Sequence, residues 1–248
     1  MKKVTDILRS IIFNIFFFGG SLACSIVLIP ALFLPESKCA QVVSDFYGGY
    51  MKLIEKYIMG LKLEIRGLEN VPAGACIIAA KHQSAYETLK LPYMRALGYP
   101  AIILKKELTR IPLWGWYPAR MGQIAIDRGS AKEALDSIVS GCKMKLDAGR
   151  SVIIFPQGTR TAVGVKKPYK AGLAKVYRDV HVPVVPVALN SGVFWGKNAF
   201  FKKSGTITFE FLPPLAPDLP PLQMMEQLER AIEDASDRLV AAALSARG

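Results

Sequence analysis

Short apolar runs that end at polar turns recur along this chain, and they restrict the folds that it can adopt. The clearest run, 75–80, follows Pro72 and Gly74 and is too short for a typical buried helix, so it predicts a buried strand. Further strands are predicted at 100–104, 122–126, 151–155 and 182–189, and at 61–66 and 206–212, where apolar and polar residues alternate. Because helical segments separate most of them, we predict an α/β fold with a mixed, largely parallel sheet flanked by helices.

His82, one of only two histidines, comes directly after the run 75–80. Ser84 and Glu87 then have the spacing of a capping box, which predicts a helix from Ser84 towards Gly98. Residues five apart on a helix point about 140° away from each other, so His82 can meet Glu87 only if His82 precedes the helix and Glu87 reaches back. The residues alone leave two interpretations open. One is a base–carboxylate dyad, and the other is a capping glutamate beside a loop histidine.

Three further helices are predicted from residues that repeat on one face. They cover 130–148, about 169–179, and a C-terminal segment whose apolar positions are Met225, Leu228, Ile232, Ala235 and Leu239. Pro186 lies inside the predicted strand 182–189 and lacks an N–H, which favours an edge position, a bulge or a short strand there.

The charge balance favours an anionic partner. The chain of 248 residues carries 32 Lys and Arg against 20 Asp and Glu, a formal net charge of +12. This sign suits nucleic acid or anionic lipid, and the hydrophobic fraction of 51% favours lipid. No known nucleic-acid-binding module accompanies the charge, so no nucleic-acid partner is expected.

Several other classes of site are unsupported by the sequence. It contains no GxSxG, HExxH, Walker or strand-borne GxGxxG motif. The four cysteines form no CxxC pair and do not cluster with the two histidines, so we expect reduced, packed thiols and no metal site. The length fits one catalytic domain at 60–248, preceded by a membrane-associating helical segment at 1–59.

An apolar stretch at 11–34 is long enough to cross a bilayer, for which about 20 residues suffice. Three interpretations compete for it: a cleaved signal, a single span, and an in-plane or re-entrant anchor, which could bend at Gly19, Gly20, Pro30 and Pro35. The anchor is preferred because it keeps the catalytic domain on the cytoplasmic face of the inner cell membrane. A second amphipathic helix is expected at 36–59, with one face formed by Val42, Phe46, Met51, Ile54 and Ile58.

A second strand end carries a cation. The run 151–155 leads into the turn Pro156-Gln157-Gly158-Thr159-Arg160, as expected if neighbouring strands end at one anionic ligand. The aromatic, proline-broken segment 111–118 is interpreted either as a loop packed on the core or as a wall for an acyl chain.

Four blocks in order give the chain a resemblance to the glycerolipid acyltransferase family, which includes 1-acylglycerol-3-phosphate acyltransferases. The blocks are His82 to Glu87, Lys105 to Arg128, Phe155 to Arg160, and 182–187. They fall within residues 60 to 215, and their order makes the resemblance specific although each block alone is weak.

The chain departs from the family's pattern at two positions. Glu87 stands where the family usually has Asp, which keeps the charge and adds one methylene. Gln157 stands where the family has Glu, which removes a charge but keeps an acceptor and adds donors. These departures affect substrate detail more than reaction type.

The resemblance implies transfer of a fatty acyl group from acyl-CoA or acyl-carrier protein to the sn-2 hydroxyl of lysophosphatidic acid, giving phosphatidic acid, with no other cofactor. It implies that His82 is the general base and that Glu87 orients it. Substrate-binding roles are implied for Lys105, Arg128, Gln157, Gly158, Thr159 and Arg160. The alternatives are a lyso-ornithine lipid or another lysophospholipid as acceptor, and a non-catalytic basic membrane-binding protein.

Overall fold

The computed structural model describes residues 2–127 and 129–247. Its helices are α1 (Lys2–Val27), α2 (Glu36–Leu53), α3 (Tyr86–Lys90), α4 (Trp116–Arg120), α5 (Ala131–Asp147), α6 (Gly172–Val180), α7 (Ser191–Phe194) and α8 (Pro221–Ser245). Its strands are β1 (Leu61–Arg66), β2 (Ile77–Ala80), β3 (Ala101–Lys105), β4 (Ile124–Ile126), β5 (Val152–Ile154), β6 (Val184–Leu189) and β7 (Gly205–Phe211). A π-helical segment, Ile54–Met59, joins α2 to β1 through Gly60.

The strands form one sheet in the order β1-β7-β6-β2-β5-β3-β4. β6 and β7 are antiparallel, and every other neighbouring pair is parallel. This confirms the predicted mixed, largely parallel sheet with flanking helices. The carboxyl ends of β6, β2, β5, β3 and β4 therefore lie along one edge, which in open α/β sheets is where ligands bind.

Both faces of the sheet are covered, because its central strands are apolar on both sides. In β2, Ile78 and Ala80 point into a core shared with α1 and α2, whereas Ile77 and Ala79 point into a second core shared with α5, α6 and α8. The run 75–80 is continuous rather than alternating for this reason.

Proline changes two of the expected elements. The helix predicted from Ser84 to Gly98 is confined to α3, and two single 3₁₀ turns, Leu91–Tyr93 and Arg95–Leu97, replace the rest. Pro92 lacks the N–H and clashes with the preceding turn, which explains the break. Pro186 lies in an interior strand and not at an edge. Its carbonyl points towards β7 and accepts the Leu212 N–H at 2.9 Å. The strand therefore lacks only the hydrogen bond that a backbone N–H at position 186 would donate.

The N-terminal helices differ from the expected arrangement. α1 runs unbroken through Gly19 and Gly20, and a Cβ at Gly20 would collide with the Tyr50 hydroxyl, so this glycine allows close packing and not a bend. The bends come later, at the 3₁₀ turn Ile29–Phe33 and at Pro35.

The face predicted for the second helix is also partly wrong. Met51 and Ile54 are buried, but Val42 and Phe46 point outward, because the inner face of α2 is formed by Cys39, Ala40, Val43, Ser44, Tyr47 and Met51.

Candidate active site

His82 is fixed at the carboxyl end of β2 by the turn that follows β5. Its ring stacks on the Phe155 ring, with 4.0 Å between centroids and 15° between planes. Its carbonyl accepts the Thr161 N–H at 2.8 Å and lies 3.1 Å from the Thr161 hydroxyl. Ring and backbone are therefore both held by the loop from the neighbouring strand.

Glu87 is fully buried and holds the start of α3. Its Oε1 accepts the N–H groups of Gln83 at 3.0 Å and Ser84 at 3.1 Å, and its Oε2 accepts the Ser84 N–H at 3.0 Å. The Ser84 hydroxyl accepts the Tyr86 N–H at 3.1 Å. The glutamate half of the predicted capping box is therefore present, whereas the Ser84 hydroxyl bonds the N–H of Tyr86 instead of Glu87 and α3 begins at Tyr86. Ser191, which follows β6, also donates its hydroxyl to Oε1 of this carboxylate.

The same carboxylate lies beside His82. The Nδ1 atom of His82 is 3.8 Å from Oε2 of Glu87, and it is buried with no hydrogen-bond partner among the described residues. Because Nδ1 faces the carboxylate, Nε2 is the nitrogen left for a substrate. The two sequence interpretations thus coexist, since Glu87 caps the helix with its carboxylate and presents Oε2 to the histidine.

The second turn gathers positive charge next to His82. Gly158 has φ +65°, and a Cβ placed there would lie 3.0 Å from the side chain of Lys170. The Lys170 N–H also donates to the Pro156 carbonyl at 2.9 Å, which fixes this lysine against the turn. Arg160 forms no hydrogen bond or ion pair with any residue of the described segments. The turn therefore presents cations that a phosphate or thioester oxygen could approach.

Gln157 is too deeply buried to contact a substrate that approaches from the surface. Its side chain is almost fully buried, and its Oε1 is 3.1 Å from the Thr161 hydroxyl. That hydroxyl has one hydrogen, so Gln157 and the His82 carbonyl compete for it. The Gln157 Nε2 is buried without a partner in the described part of the chain. The geometry connects Gln157 to His82 through Thr161.

The remaining predicted residues are spread along the strand ends. Thr159 is exposed on the turn. Lys105 is exposed at the end of β3, two strands away from β2, which is about 10 Å at ordinary strand spacing. Arg128 lies outside the described residues. Among the residues that are described, no group of three or more His, Cys, Asp and Glu side chains is placed to hold a metal ion.

A buried ion pair connects the site to α8. The Lys81 ammonium lies 2.5 Å and 2.6 Å from the two carboxylate oxygens of Glu233 on α8, and the Tyr169 hydroxyl donates to the same carboxylate at 3.0 Å. Lys81 precedes His82, and Tyr169 precedes Lys170. The pair therefore connects both strand-end turns to α8.

Sequence reasoning missed Phe155, Thr161, Ser191 and the Lys81–Glu233 pair. Ser191 could have been found, because it follows the predicted strand 182–189 at the edge where the other polar groups converge. The pairing of Lys81 with Glu233 spans 152 positions and leaves no local signal.

A sequence model of the acyltransferase family matches residues 62–190. The 1-acyl-sn-glycerol-3-phosphate acyltransferase of Pseudomonas aeruginosa is 37% identical over 155 residues, which are 62% of this chain and 59% of that relative. A protein of the same name from Limnanthes alba is 28% identical over 192 residues, which are 77% of this chain and 68% of the relative. The aligned segment thus spans less than two thirds of the P. aeruginosa protein.

The fold is similar to a crystal structure, that of the 1-acyl-sn-glycerophosphate (LPA) acyltransferase from Thermotoga maritima. The TM-score is 0.71 at 24% sequence identity, and the alignment covers 98% of this chain and 97% of that chain. The shared fold therefore includes the N-terminal helices as well as the sheet.

Proposed function

We propose that this chain, which belongs to the acyltransferase family, transfers a fatty acyl group from an acyl thioester to the sn-2 hydroxyl of lysophosphatidic acid. The observation that carries the proposal is the His82 ring 3.8 Å from the buried Glu87 carboxylate, at the strand edge where Arg160 and Lys170 also lie. The printed name shared by the relatives from P. aeruginosa and L. alba supports the choice of acceptor.

In the proposed reaction His82 acts as general base through Nε2. A lipid hydroxyl is a poor nucleophile at neutral pH, and a histidine with a reference pKa of about 6.5 can take its proton as the oxygen attacks the thioester carbon. The C–S bond then breaks, and the imidazolium returns the proton to the leaving thiolate. Glu87 stabilises the imidazolium and keeps the proton of neutral His82 on Nδ1. Because the acceptor hydroxyl attacks the thioester directly, no acyl-enzyme is needed.

Positive groups around the second turn would hold the acceptor phosphate. Arg160 is the principal candidate, because its planar guanidinium matches phosphate oxygens and it has no competing partner among the described residues. Lys105 would add charge from the end of β3, and Arg128, which lies outside the described residues, would contribute a further charge. The backbone around Gly158 and Thr159 would bind the phosphate or the thioester oxygen, and Gln157 would position Thr161 and, through it, His82.

We further propose that α1 lies in the membrane plane on the cytoplasmic face. The stretch Val4–Val27 is long and apolar enough to cross a membrane by length and composition. Its polar residues, however, pack against the catalytic domain: Asp6 lies 3.3 Å from the Arg247 guanidinium, and the Lys202 N–H donates to the Ser10 hydroxyl at 2.8 Å. A perpendicular span would have to break these contacts, whereas an in-plane helix keeps them and buries its outer apolar face in lipid.

The decisive experiment is an acyl-transfer assay of the purified protein in detergent with a panel of donors and acceptors. Acyl-CoA and acyl-carrier protein are compared as donors, and lysophosphatidic acid is compared with lyso-ornithine lipid and other lysophospholipids as acceptors. We expect the highest kcat/KM with lysophosphatidic acid. Preference for another acceptor would overturn the substrate, and no transfer from either donor would overturn the activity.

A further inference from the structure

The loop between α7 and β7 is built on a rigid stem that is attached to α1. The Lys203 N–H donates to the Phe194 carbonyl at 2.8 Å and closes the loop at its base. Within it, the Ala199 N–H donates to the Gly196 carbonyl at 3.1 Å. Side chains from α1 hold the loop as well, because Asn14 donates to the Phe200 carbonyl at 3.1 Å. The residues at the tip are therefore held in place.

This loop exposes apolar side chains and buries a charged one, which is the opposite of the arrangement favoured in water. Phe200 and Phe201 are 55% and 53% exposed, while the neighbouring Lys202 is only 4% exposed. The Lys202 ammonium lies 4.6 Å from the Trp195 ring centroid and 5.3 Å from that of Phe13, and it donates to the Asn14 side chain at 2.7 Å. A charged lysine faces inward and two phenyl rings face outward.

α1 has the same inversion next to this loop. Asp6, Ser10 and Asn14 are buried against the domain, whereas Ile11 and Phe18, each about one turn from Asn14, are exposed. Leaving a large apolar side chain in water rather than burying it costs roughly 1.5–3 kcal/mol. An outward-facing apolar surface shared by a helix and a rigid loop is therefore favourable only where the surroundings are themselves apolar.

From this continuity we propose that the 196–203 loop is a second membrane contact, which inserts Phe200 and Phe201 into the lipid interface beside α1. The partner is a bilayer surface containing anionic lipid. Lys197 and Lys203 flank the tip and are exposed, as expected for side chains that reach lipid phosphates. The proposal rests on the proposed in-plane position of α1, because the loop reaches lipid only if that helix does.

Three labelled variants test the proposal. The native cysteines Cys24, Cys39, Cys76 and Cys142 are free and buried, so one added surface cysteine can be labelled selectively with an environment-sensitive fluorophore. Phe201→Cys reports the loop and Ile15→Cys reports the outer face of α1. Leu222→Cys is the matched control. Leu222 is 73% exposed but lies at the start of α8, whereas Arg247, which contacts Asp6 of α1, follows the other end of that helix. A 25-residue helix separates these two ends by roughly 37 Å.

On adding vesicles of phosphatidylglycerol and phosphatidylethanolamine, the labels at 201 and 15 should shift to shorter wavelength and be quenched by brominated lipid, and the label at 222 should not. A shift at 15 without one at 201 would overturn the loop contact and leave the α1 proposal standing. No shift at either position would overturn both. A shift at 201 that appears without vesicles and grows with protein concentration would indicate a second copy of the chain, which also overturns the proposal.

Partitioning measures the strength of the contact. We expect Phe200→Ser/Phe201→Ser to bind these vesicles about 10- to 100-fold more weakly than the unaltered protein, because two phenyl rings no longer enter the interface. Leu222→Ser should bind normally. Unchanged binding of the double variant, with its thermal unfolding also unchanged, would overturn the proposal.

Discussion

The Nδ1 atom of His82 lies 3.8 Å from Oε2 of Glu87, while Oε1 of the same carboxylate accepts the Ser191 hydroxyl and two backbone N–H groups. One buried carboxylate therefore both accepts the N–H groups that precede α3 and faces the histidine. The distance exceeds the range of a hydrogen bond, about 2.7–3.2 Å, but catalytic hydrogen bonds often shorten when substrate binds. The importance of this relationship can be tested by removing its charge.

Glu87→Gln should lower kcat by about 10²- to 10⁴-fold. If the amide oxygen takes the place of Oε1 and keeps its donors, the amide NH₂ takes the place of Oε2. It then donates to Nδ1 of His82, which puts the proton on Nε2 and leaves no base facing the substrate. Steady-state kinetics and thermal unfolding, measured in the same detergent, check the prediction.

Ser191→Ala is the matched control for this change, because it removes one donor to the carboxylate and keeps the charge. It should lower kcat less than Glu87→Gln does, because the lost hydrogen bond to the carboxylate contributes about 1.5–3 kcal/mol but the charge that faces His82 remains. Near-normal activity of Glu87→Gln, together with unchanged unfolding, would mean that Glu87 only caps the helix.

Arg160→Ala should raise KM for lysophosphatidic acid by about 10- to 100-fold, because a charge-assisted contact to phosphate contributes roughly 1.5–3 kcal/mol. An acceptor without phosphate, such as monoacylglycerol, should be affected much less. Initial rates with the two acceptors, measured side by side, give the ratio. Arg178→Ala is the control, since Arg178 is exposed on α6 and pairs with Asp179 at the surface. Equal losses with both acceptors would remove Arg160 from phosphate binding.

The sheet and the positions of the site turns could be predicted from the sequence because their signals are local. A strand such as 75–80 is visible as an apolar run. Gly158 marks the turn after the run 151–155, because glycine readily adopts a positive φ. The grouping of His82 with Phe155 depends instead on the pairing of β2 with β5, which no single segment encodes. The family resemblance implied that His82 and the turn 156–160 belong to one site, but it gave no role to Phe155.

The orientation of α1 could not be predicted for a different reason. It is long and apolar enough to cross a membrane, but the few polar residues that decide its inner face, Asp6, Ser10 and Asn14, find partners from 186 to 241 positions away. Polar residues in an apolar helix are usually assigned to the water side. Here they face the protein, because the opposite side of the helix is apolar along its length.

Removing one member of the Lys81–Glu233 pair should destabilise the protein by about 3–5 kcal/mol, because it leaves a buried charge without its partner. Glu233→Gln is the single change, and Lys81→Met/Glu233→Leu removes both charges. The double variant should be more stable than the single one, since neither charge then remains buried. Urea unfolding in detergent measures the difference. The opposite order of stability would contradict the view that these charges depend on each other.

Lys202 should make the stability of the protein rise with pH in a narrow window. Burial lowers the pKa of its ammonium from 10.5 to about 8, because water is replaced by the rings of Phe13 and Trp195. Between these two values the unfolded chain holds this proton and the folded chain does not, so raising the pH favours folding. Below pH 8 the lysine is charged in both states and adds no slope. The free energy of unfolding, measured from pH 6.5 to pH 10 and compared with Lys202→Met, should therefore rise relative to that variant only above about pH 8. Parallel curves for the two proteins over the whole range would show that Lys202 keeps its proton in the folded state.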